Sequence, residues 1–190
     1  MRIYSFYIKR IIDIILPIFI LAIIFPFLIF ICFMIKIHDG GPIIFKQKRI
    51  GKDGKEFLFL KFRSMPVNTP NVVSTNTGQL NITPIGKIIR RTNLDEIPQF
   101  INVLKGDMSL IGPRPCLPNQ HSLIDLRVQN GAIKLRPGLT GWAQVNAYDY
   151  MPEEEKAKFD GEYYKELSLW MDIKIILGTV KYFTKKPPVY

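Results

Sequence analysis

Two neighbouring carboxylates, Asp95 and Glu96, could carry covalent chemistry in this sequence. The pattern predicts that a helix begins at about Asn93–Glu96, and the positive N-terminal end of a helix keeps a carboxylate ionised. An ionised aspartate that cations and a metal hold beside a phosphate can act as a nucleophile, and its neighbour can serve as a base or a metal ligand. Acidic residues in a first helical turn are nevertheless more often simple caps. Taken alone, the pair favours the cap interpretation.

Basic residues in rigid settings give stronger support for a site that binds anions. Arg114 lies between two prolines that fix its backbone, and a guanidinium binds phosphate through paired hydrogen bonds. Arg136 precedes a Pro-Gly pair in a similar setting, and Lys61 and Arg63 lie at the end of a predicted strand. Arg90 precedes the two carboxylates on a predicted helix. Together these cations favour an anion site.

The composition excludes several other classes of protein. The 190 residues carry a net charge of +10 and are 47% apolar, which excludes intrinsic disorder. Two cysteines and two histidines supply neither a disulfide framework nor a zinc-ligand spacing. The sequence contains no Walker A loop, dinucleotide fingerprint or Asp-x-Asp pair. The basic residues cluster around an apolar segment rather than along an aromatic groove, so anionic lipid headgroups explain them better than nucleic acid does.

An apolar segment from Ile11 to Ile35 is long enough to enter a membrane. It has 25 residues and one charged side chain, Asp13. A straight helix of that length runs about 37 Å, against about 30 Å for the hydrocarbon core of a bilayer. A buried helix of a soluble core is excluded because the segment is apolar on every face. Lys9 and Arg10 lie within a turn of Asp13, and one of them can neutralise it near the headgroups.

The path of this segment through the bilayer is a separate question. Cations normally mark the cytoplasmic flank, and here they lie on both sides of the segment. Pro17 and Pro26 each remove a backbone donor, and a kink at Pro26 would return the helix to the face it entered from. We therefore predict a re-entrant, monotopic helix–break–helix. An ordinary single span with a tolerated proline stays open as the alternative.

The rest of the chain predicts a small domain of class α+β. Alternating residues over 43–49 and 56–62 predict a β-hairpin, and the stretch 66–83, rich in Pro, Asn and Thr, predicts a surface loop. Helical patterns are predicted from Pro84, from about Asn93 to Gly106, over 153–167 and over 170–183. The last of these is amphipathic, and it lies either flat on the membrane surface or against the domain core.

Two units follow from this division. Residues 1–37 are predicted to form the membrane-embedded re-entrant helix. Residues 38–190 are predicted to form a mostly helical catalytic domain, with a small β-hairpin and amphipathic helices, packed on the membrane surface.

Blocks of sequence spread in order over nearly the whole chain resemble the bacterial sugar transferase family, and within it the small monotopic polyprenyl-phosphate phosphoglycosyl transferases. The blocks are KRIID (9–13), GPIIFKQKRIG (41–51), KFRSM (61–65), LDEIPQFINVLKGDMS (94–109), GPRP (112–115) and RPGLTGWAQ (136–144). The blocks from Leu94 to Pro115 are the most specific. One departure is Phe25 before Pro26, because many relatives have Ser-Pro there and the serine hydroxyl can satisfy a freed carbonyl.

The resemblance implies a two-step transfer reaction. Asp95 matches the family's nucleophile, which would attack the β-phosphorus of a UDP-sugar, release UMP and hold the sugar phosphate as an acyl phosphate. A polyprenyl phosphate, expected to be undecaprenyl phosphate, would then accept it, as the first membrane step of glycoconjugate assembly. Glu96 completes the acidic dyad, and Mg²⁺ bound at Asp95 would offset the phosphate charge. Arg114 and Arg136 are expected in the substrate pocket.

The other expectations concern partners and location. Lys61, Arg63 and Arg90 are predicted to bind substrate, and anionic membrane lipids are expected partners, with a homodimer left open. The resemblance implies a bacterial inner membrane protein whose catalytic domain lies on the cytoplasmic face. Two rival functions stay open: a membrane-anchored phosphohydrolase, in which water replaces the lipid acceptor, and a non-catalytic adaptor that binds anionic lipid.

Overall fold

The computed structural model of the protein describes residues 4–67, 69, 82–146 and 151–183. The helices are α1 (Lys9–Asp39), α2 (Pro84–Arg91), α3 (Gln99–Lys105), α4 (His121–Asn130), α5 (Trp142–Val145), α6 (Glu153–Glu166) and α7 (Leu169–Phe183). The strands are β1 (Ile44–Ile50), β2 (Glu56–Phe62), β3 (Ser109–Ile111) and β4 (Gly138–Thr140). This mixture of helices with two small sheets confirms the predicted α+β class. Most of the predicted loop over 66–83 lies outside the described residues.

The predicted β-hairpin is confirmed, and it positions a cation. β1 and β2 pair antiparallel, with Ile44 opposite Phe62. The connection turns at Asp53, whose φ of 56° lies in the left-handed region that aspartate tolerates. Because side chains alternate along a strand, Phe59 and Lys61 share one face of β2. The Lys61 ammonium lies 5.5 Å from the centre of the Phe59 ring, so the hairpin fixes where this cation lies.

The apolar segment forms the single long helix α1. Its most apolar window has a mean hydropathy of 3.2, and only 11% of that window is buried, so by length and composition it is able to cross a membrane. The helix continues through both Pro17 and Pro26. The predicted break at Pro26 therefore does not divide α1 into two helices. α1 stops at Gly40, whose φ of 69° is typical of a helix C-cap.

The N-terminal part of α1 is fastened to the domain by polar contacts. The Arg10 guanidinium donates to two carbonyl oxygens in the last turn of α3, at 2.6 and 2.8 Å, where a helix leaves carbonyls without internal partners. Asp13 accepts hydrogen bonds from the Ser109 hydroxyl and the Leu110 N–H, at 3.0 and 2.9 Å. Its hydrogen bonds thus come from β3, which folding brings beside the helix, rather than from the neighbouring cations of α1.

Lys9 pairs with a different carboxylate. Asp172 of α7 accepts hydrogen bonds from Lys9 at 2.6 Å, from Tyr4 at 2.5 Å and from Tyr163 at 2.6 Å. Because Tyr163 lies on α6, this buried carboxylate joins the start of the chain to both C-terminal helices.

The C-terminal part of α1 packs against the same domain through apolar side chains. Ile31 and Ile35 are buried together with Phe62 of β2 and Ile89 of α2. Both parts of the long helix therefore contact one domain, while side chains between them, such as Phe25, are exposed.

The C-terminal helices form the other side of the core. α6 confirms the charged helix predicted over 153–167, and its Asp160 forms a buried ion pair with Arg127 of α4 at 2.7 Å. α7 buries Ile175 while Trp170 and Leu177 stay exposed. The helix thus packs on the core with one face, which is one of the two predicted alternatives. It presents a second apolar face outward.

Candidate active site

The acidic pair lies in a short 3₁₀ turn, Leu94–Glu96, that precedes α3. Asn93, with φ of 54°, starts this turn, and its side chain makes no capping hydrogen bond. The N-cap of α3 is Pro98. The prediction that a helix begins at Asn93–Glu96 is therefore wrong by several residues, and the simple cap interpretation of Asp95 and Glu96 fails with it.

Glu96 is held ionised by two cations. Lys61 donates to its Oε1 at 2.6 Å, and Arg114 Nη2 lies 3.5 Å from the same oxygen. Burial acts to raise the pKa of Glu96, but the charges of Lys61 and Arg114 outweigh it and lower the pKa to about 2. Glu96 is therefore a carboxylate at every physiological pH.

Asp95 is the less strongly stabilised carboxylate. Its side chain is only 10% exposed, and the Lys61 ammonium lies 3.6 Å from Oδ2. Burial raises the pKa of Asp95 and the charge of Glu96 adds to this, while Lys61 and Arg90 act in the opposite direction. A desolvated carboxylate with its charge only partly compensated is a better nucleophile than a fully paired one. The structure thus gives the two neighbours different properties.

The backbone around Arg114 is rigid, as its two prolines predict. The Gly138 N–H donates to the Pro113 carbonyl at 2.9 Å, next to the pairing of β3 with β4. A Cβ on Gly138 would lie 2.1 Å from the Gly112 nitrogen, so only glycine allows the two segments to approach this closely. Arg114 itself remains 53% exposed in its side chain. A rigid backbone therefore presents an accessible guanidinium beside the acidic pair.

Six of the predicted site residues line one cavity of about 500 Å³. They are Lys61, Arg63, Arg90, Asp95, Glu96 and Arg114. Arg90 is oriented by a hydrogen bond from its Nε to the Ser64 hydroxyl at 2.8 Å. The cations that lie far apart in the sequence thus converge on the acidic pair, as an anion site requires.

Arg136 lies elsewhere. Its Nε donates to the Gly106 carbonyl at 2.9 Å, just after α3, and it does not line this cavity. The structure does not bring it together with the acidic pair, so the geometry favours a structural role over the substrate role that the resemblance implies, and neither role is tested.

Two cavity residues were not singled out from the sequence. Arg49 of β1 donates to the Pro115 carbonyl at 3.2 Å, and burial together with the charge of Arg114 lowers its pKa to about 10. Gln99 is 2% exposed, and its Nε2 has no hydrogen-bond partner among the described residues. Both residues fall inside the blocks quoted above, but nothing in their local pattern indicated that they face this cavity.

The residues present suit a metal that binds with its substrate. The described part of the chain contains no group of three or more His, Cys, Asp or Glu side chains that could together hold a metal ion. Mg²⁺, however, is commonly held by one or two carboxylates together with substrate phosphates and water. Asp95 and Glu96 supply two carboxylates at one cavity wall, which fits that pattern.

An apolar helix able to enter a bilayer and a cation-lined acidic pair together are typical of a membrane protein that handles phosphate. The sequence profile of the family described as "Bacterial sugar transferase" matches residues 4–186. The chain belongs to this family.

Several curated relatives are similar over most of the chain. The "UDP-glucose:undecaprenyl-phosphate glucose-1-phosphate transferase" of Escherichia coli (strain K12) is 43% identical over 181 residues, which are 90% of this chain and 39% of that protein. The "UDP-N-acetylgalactosamine-undecaprenyl-phosphate N-acetylgalactosaminephosphotransferase" of Aeromonas hydrophila is 37% identical, over 94% of this chain and 44% of its own length. The "Uncharacterized sugar transferase EpsL" of Bacillus subtilis (strain 168) is 36% identical, over 91% and 85%. The chain thus spans less than half the length of the first two relatives.

Proposed function

We propose that this protein transfers a sugar phosphate from a UDP-sugar to polyprenyl phosphate, as the first membrane step of glycoconjugate assembly. The names of the Escherichia coli and Aeromonas hydrophila relatives support this class of substrates, with undecaprenyl phosphate as the acceptor. The observation that carries the proposal is the Asp95 carboxylate, 3.6 Å from Lys61 in a cavity lined by cations.

The proposed reaction has two steps. In the first, an Asp95 carboxylate oxygen attacks the β-phosphorus of the UDP-sugar, the bond from that phosphorus to the bridging oxygen breaks, and UMP leaves. In the second, a phosphate oxygen of the polyprenyl phosphate attacks the same phosphorus and releases the Asp95 carboxylate. Lys61, Arg90 and Arg114 stabilise the negative charge that is spread over the phosphoryl oxygens. Glu96 holds Lys61 and Arg114 in place through its own contacts with them.

Mg²⁺ is proposed as the cofactor. Asp95 would hold it together with the diphosphate of the donor, and Glu96 lies close enough along the chain to contribute. When bound, the ion would supply charge neutralisation for the departing UMP. The protein's own cations line the same cavity and would share this task.

The proposed location is the cytoplasmic face of the bacterial inner membrane, with α1 as a re-entrant helix. Contacts of both parts of α1 with one domain support this arrangement, because Arg10 binds the end of α3 and Ile35 packs against Phe62. Anionic lipid headgroups are proposed to bind the basic residues on either side of the apolar segment.

The test uses the purified chain with UDP-sugars, Mg²⁺ and undecaprenyl phosphate. We expect UMP release and a polyprenyl-diphospho-sugar product, and we expect donor labelled in the sugar to leave its label on the protein when no acceptor is present. Asp95→Asn should abolish both the label and the turnover, while Asp125→Asn, an exposed aspartate on α4, should change neither. Free sugar phosphate as the only product would instead support a phosphohydrolase, and no turnover with any donor would support an adaptor.

A further inference from the structure

A second cavity, of about 610 Å³, lies between the N-terminal half of α1 and the inner side of α7. Its walls are mainly apolar. Its apolar lining includes Ile12, Leu16, Phe100, Ile173 and Ile176. Lys9, Asp13 and Asp172 also line it, but Lys9 pairs with Asp172 and Asp13 accepts hydrogen bonds from β3. This groove has no role in the reaction steps described above.

The apolar groove and the cation-lined cavity meet at Glu96 and Arg114. Three residues, Asn93, Glu96 and Arg114, line both spaces. Asp95 lines only the cation-lined cavity. The site is therefore divided into a polar compartment that contains the proposed nucleophile and an apolar compartment that ends beside it.

We propose that the apolar groove holds the isoprenoid tail of the acceptor next to its phosphate, and that Arg114 receives that phosphate at the boundary. This inference rests on the proposed function. The donor would occupy only the cation-lined cavity, so that the two substrates reach the phosphorus on Asp95 from different compartments.

The chemistry of the walls favours an isoprenoid occupant. An isoprenoid chain has no hydrogen-bonding groups and is stabilised only by burial against apolar surface. The nucleotide and sugar of the donor need polar partners, which the cation-lined cavity supplies. At the inner end of the groove, the accessible Arg114 guanidinium offers charge complementarity to a phosphate.

The groove is also continuous with the surface that would face lipid. Leu16 on α1 and Ile176 on α7 line it and are 41% and 47% exposed, and their neighbours Ile15 and Leu177 are more exposed still. A chain anchored in the bilayer can therefore enter between α1 and α7 without crossing water.

The test fills the groove from each wall. Leu16→Trp and Ile176→Trp add bulk to the lining, whereas Ile15→Trp and Leu177→Trp add the same bulk to neighbours that do not line it. Two rates are measured for each variant. The first is the rate at which UDP-sugar alone loads labelled sugar phosphate onto the protein. The second is the rate of transfer to undecaprenyl phosphate in mixed micelles at several acceptor concentrations, which gives the acceptor KM. Loading reports folding and the donor site, and transfer reports the acceptor site.

We expect each groove variant to raise the KM for undecaprenyl phosphate about tenfold or more, with loading unchanged and with neither control variant affected. A phosphate acceptor with a short isoprenoid tail should be affected less, because less of it reaches the filled part. The inference is overturned if loading falls as much as transfer, if the control variants have the same effect, or if the acceptor KM does not change. A wild-type chain that never releases UMP would instead refute the proposed function.

Discussion

The ammonium nitrogen of Lys61 lies 3.6 Å from the carboxylate of Asp95. Lys61 comes from β2 and Asp95 from the turn before α3, and the same ammonium donates to Glu96 at 2.6 Å. One cation thus serves both members of the acidic pair. The ammonium donates a hydrogen bond to Glu96, whose pKa is lowered, and its charge acts to lower the pKa of Asp95.

Replacing this cation should move the pH dependence of the first reaction step. Asp95 must be ionised to attack, and its pKa is already raised above the ordinary 3.8 by burial. Lys61 opposes that shift, so Lys61→Met should raise the pKa of Asp95 further, and the acidic side of the pH–rate profile for UMP release should move to higher pH. Lys105→Met, at an exposed position of α3, is the matched control and should leave the profile unchanged. An acidic side that stays in place in the Lys61 variant would show that this cation does not control the nucleophile.

Gln99 should be dispensable for folding and needed for donor binding. Its Nε2 is buried without a hydrogen-bond partner among the described residues, and replacing such a group by an apolar one of similar size costs about 1 kcal/mol or less. Gln99→Met should therefore leave the free energy of unfolding unchanged or slightly higher. Because Gln99 lines the cation-lined cavity, the KM for UDP-sugar should rise.

Thermal unfolding and donor kinetics of this variant would be compared with those of Gln129→Met, which changes an exposed glutamine on α4. A clear loss of stability with an unchanged donor KM would mean that the Gln99 amide has a structural role.

Arg136 should affect stability rather than substrate binding. Its Nε donates to the carbonyl of Gly106, the residue that ends α3 with a φ of 92°. Arg136→Gln removes this contact, and we expect a loss of about 1 kcal/mol in the free energy of unfolding, with the donor KM unchanged. Arg91→Gln, at an exposed position, should change neither the free energy of unfolding nor the donor KM. A raised donor KM at full stability would restore the substrate role that the resemblance implies.

The re-entrant path of α1 can be tested with cysteines at its two ends. Tyr7 is 69% exposed just before the helix, and His38 is exposed at its other end. In a chain with Cys32 and Cys116 changed to Ser, Tyr7→Cys and His38→Cys should both resist a membrane-impermeant thiol reagent in intact cells and both react after lysis. Labelling of either one from outside would favour the single span.

The sequence allowed the local features to be predicted and left the long-range ones open. Alternation and turn residues sufficed for the hairpin that carries Lys61, and the flanking prolines sufficed for the rigid backbone at Arg114. These patterns act within a few residues. The hydrogen-bond partners of Asp13 and the position of Gln99 depend on which distant segments meet, and no local pattern contains that information.

The candidate site likewise combines features that local patterns predict with features that depend on long-range contacts. Its cations could be identified because several Arg and Lys lie near prolines and strand ends, although Arg136, in the same setting, donates to the Gly106 carbonyl instead of lining the cavity. The start of α3 was misplaced because Pro98 and the acidic residues before it fit both a first helical turn and a separate 3₁₀ turn. The partition into two cavities was not predictable, because it depends on how α1 and α7 lie around the acidic pair.

The packing of Ile31 and Ile35 against Phe62 and Ile89 has a practical consequence. A fragment that starts at residue 38 would expose this apolar surface to water and would also leave the end of α3 without the Arg10 guanidinium. The first 37 residues are therefore no detachable anchor. Truncation to obtain a water-soluble form should give aggregated protein, and purification of the working molecule calls for detergent or a lipid nanodisc from the start.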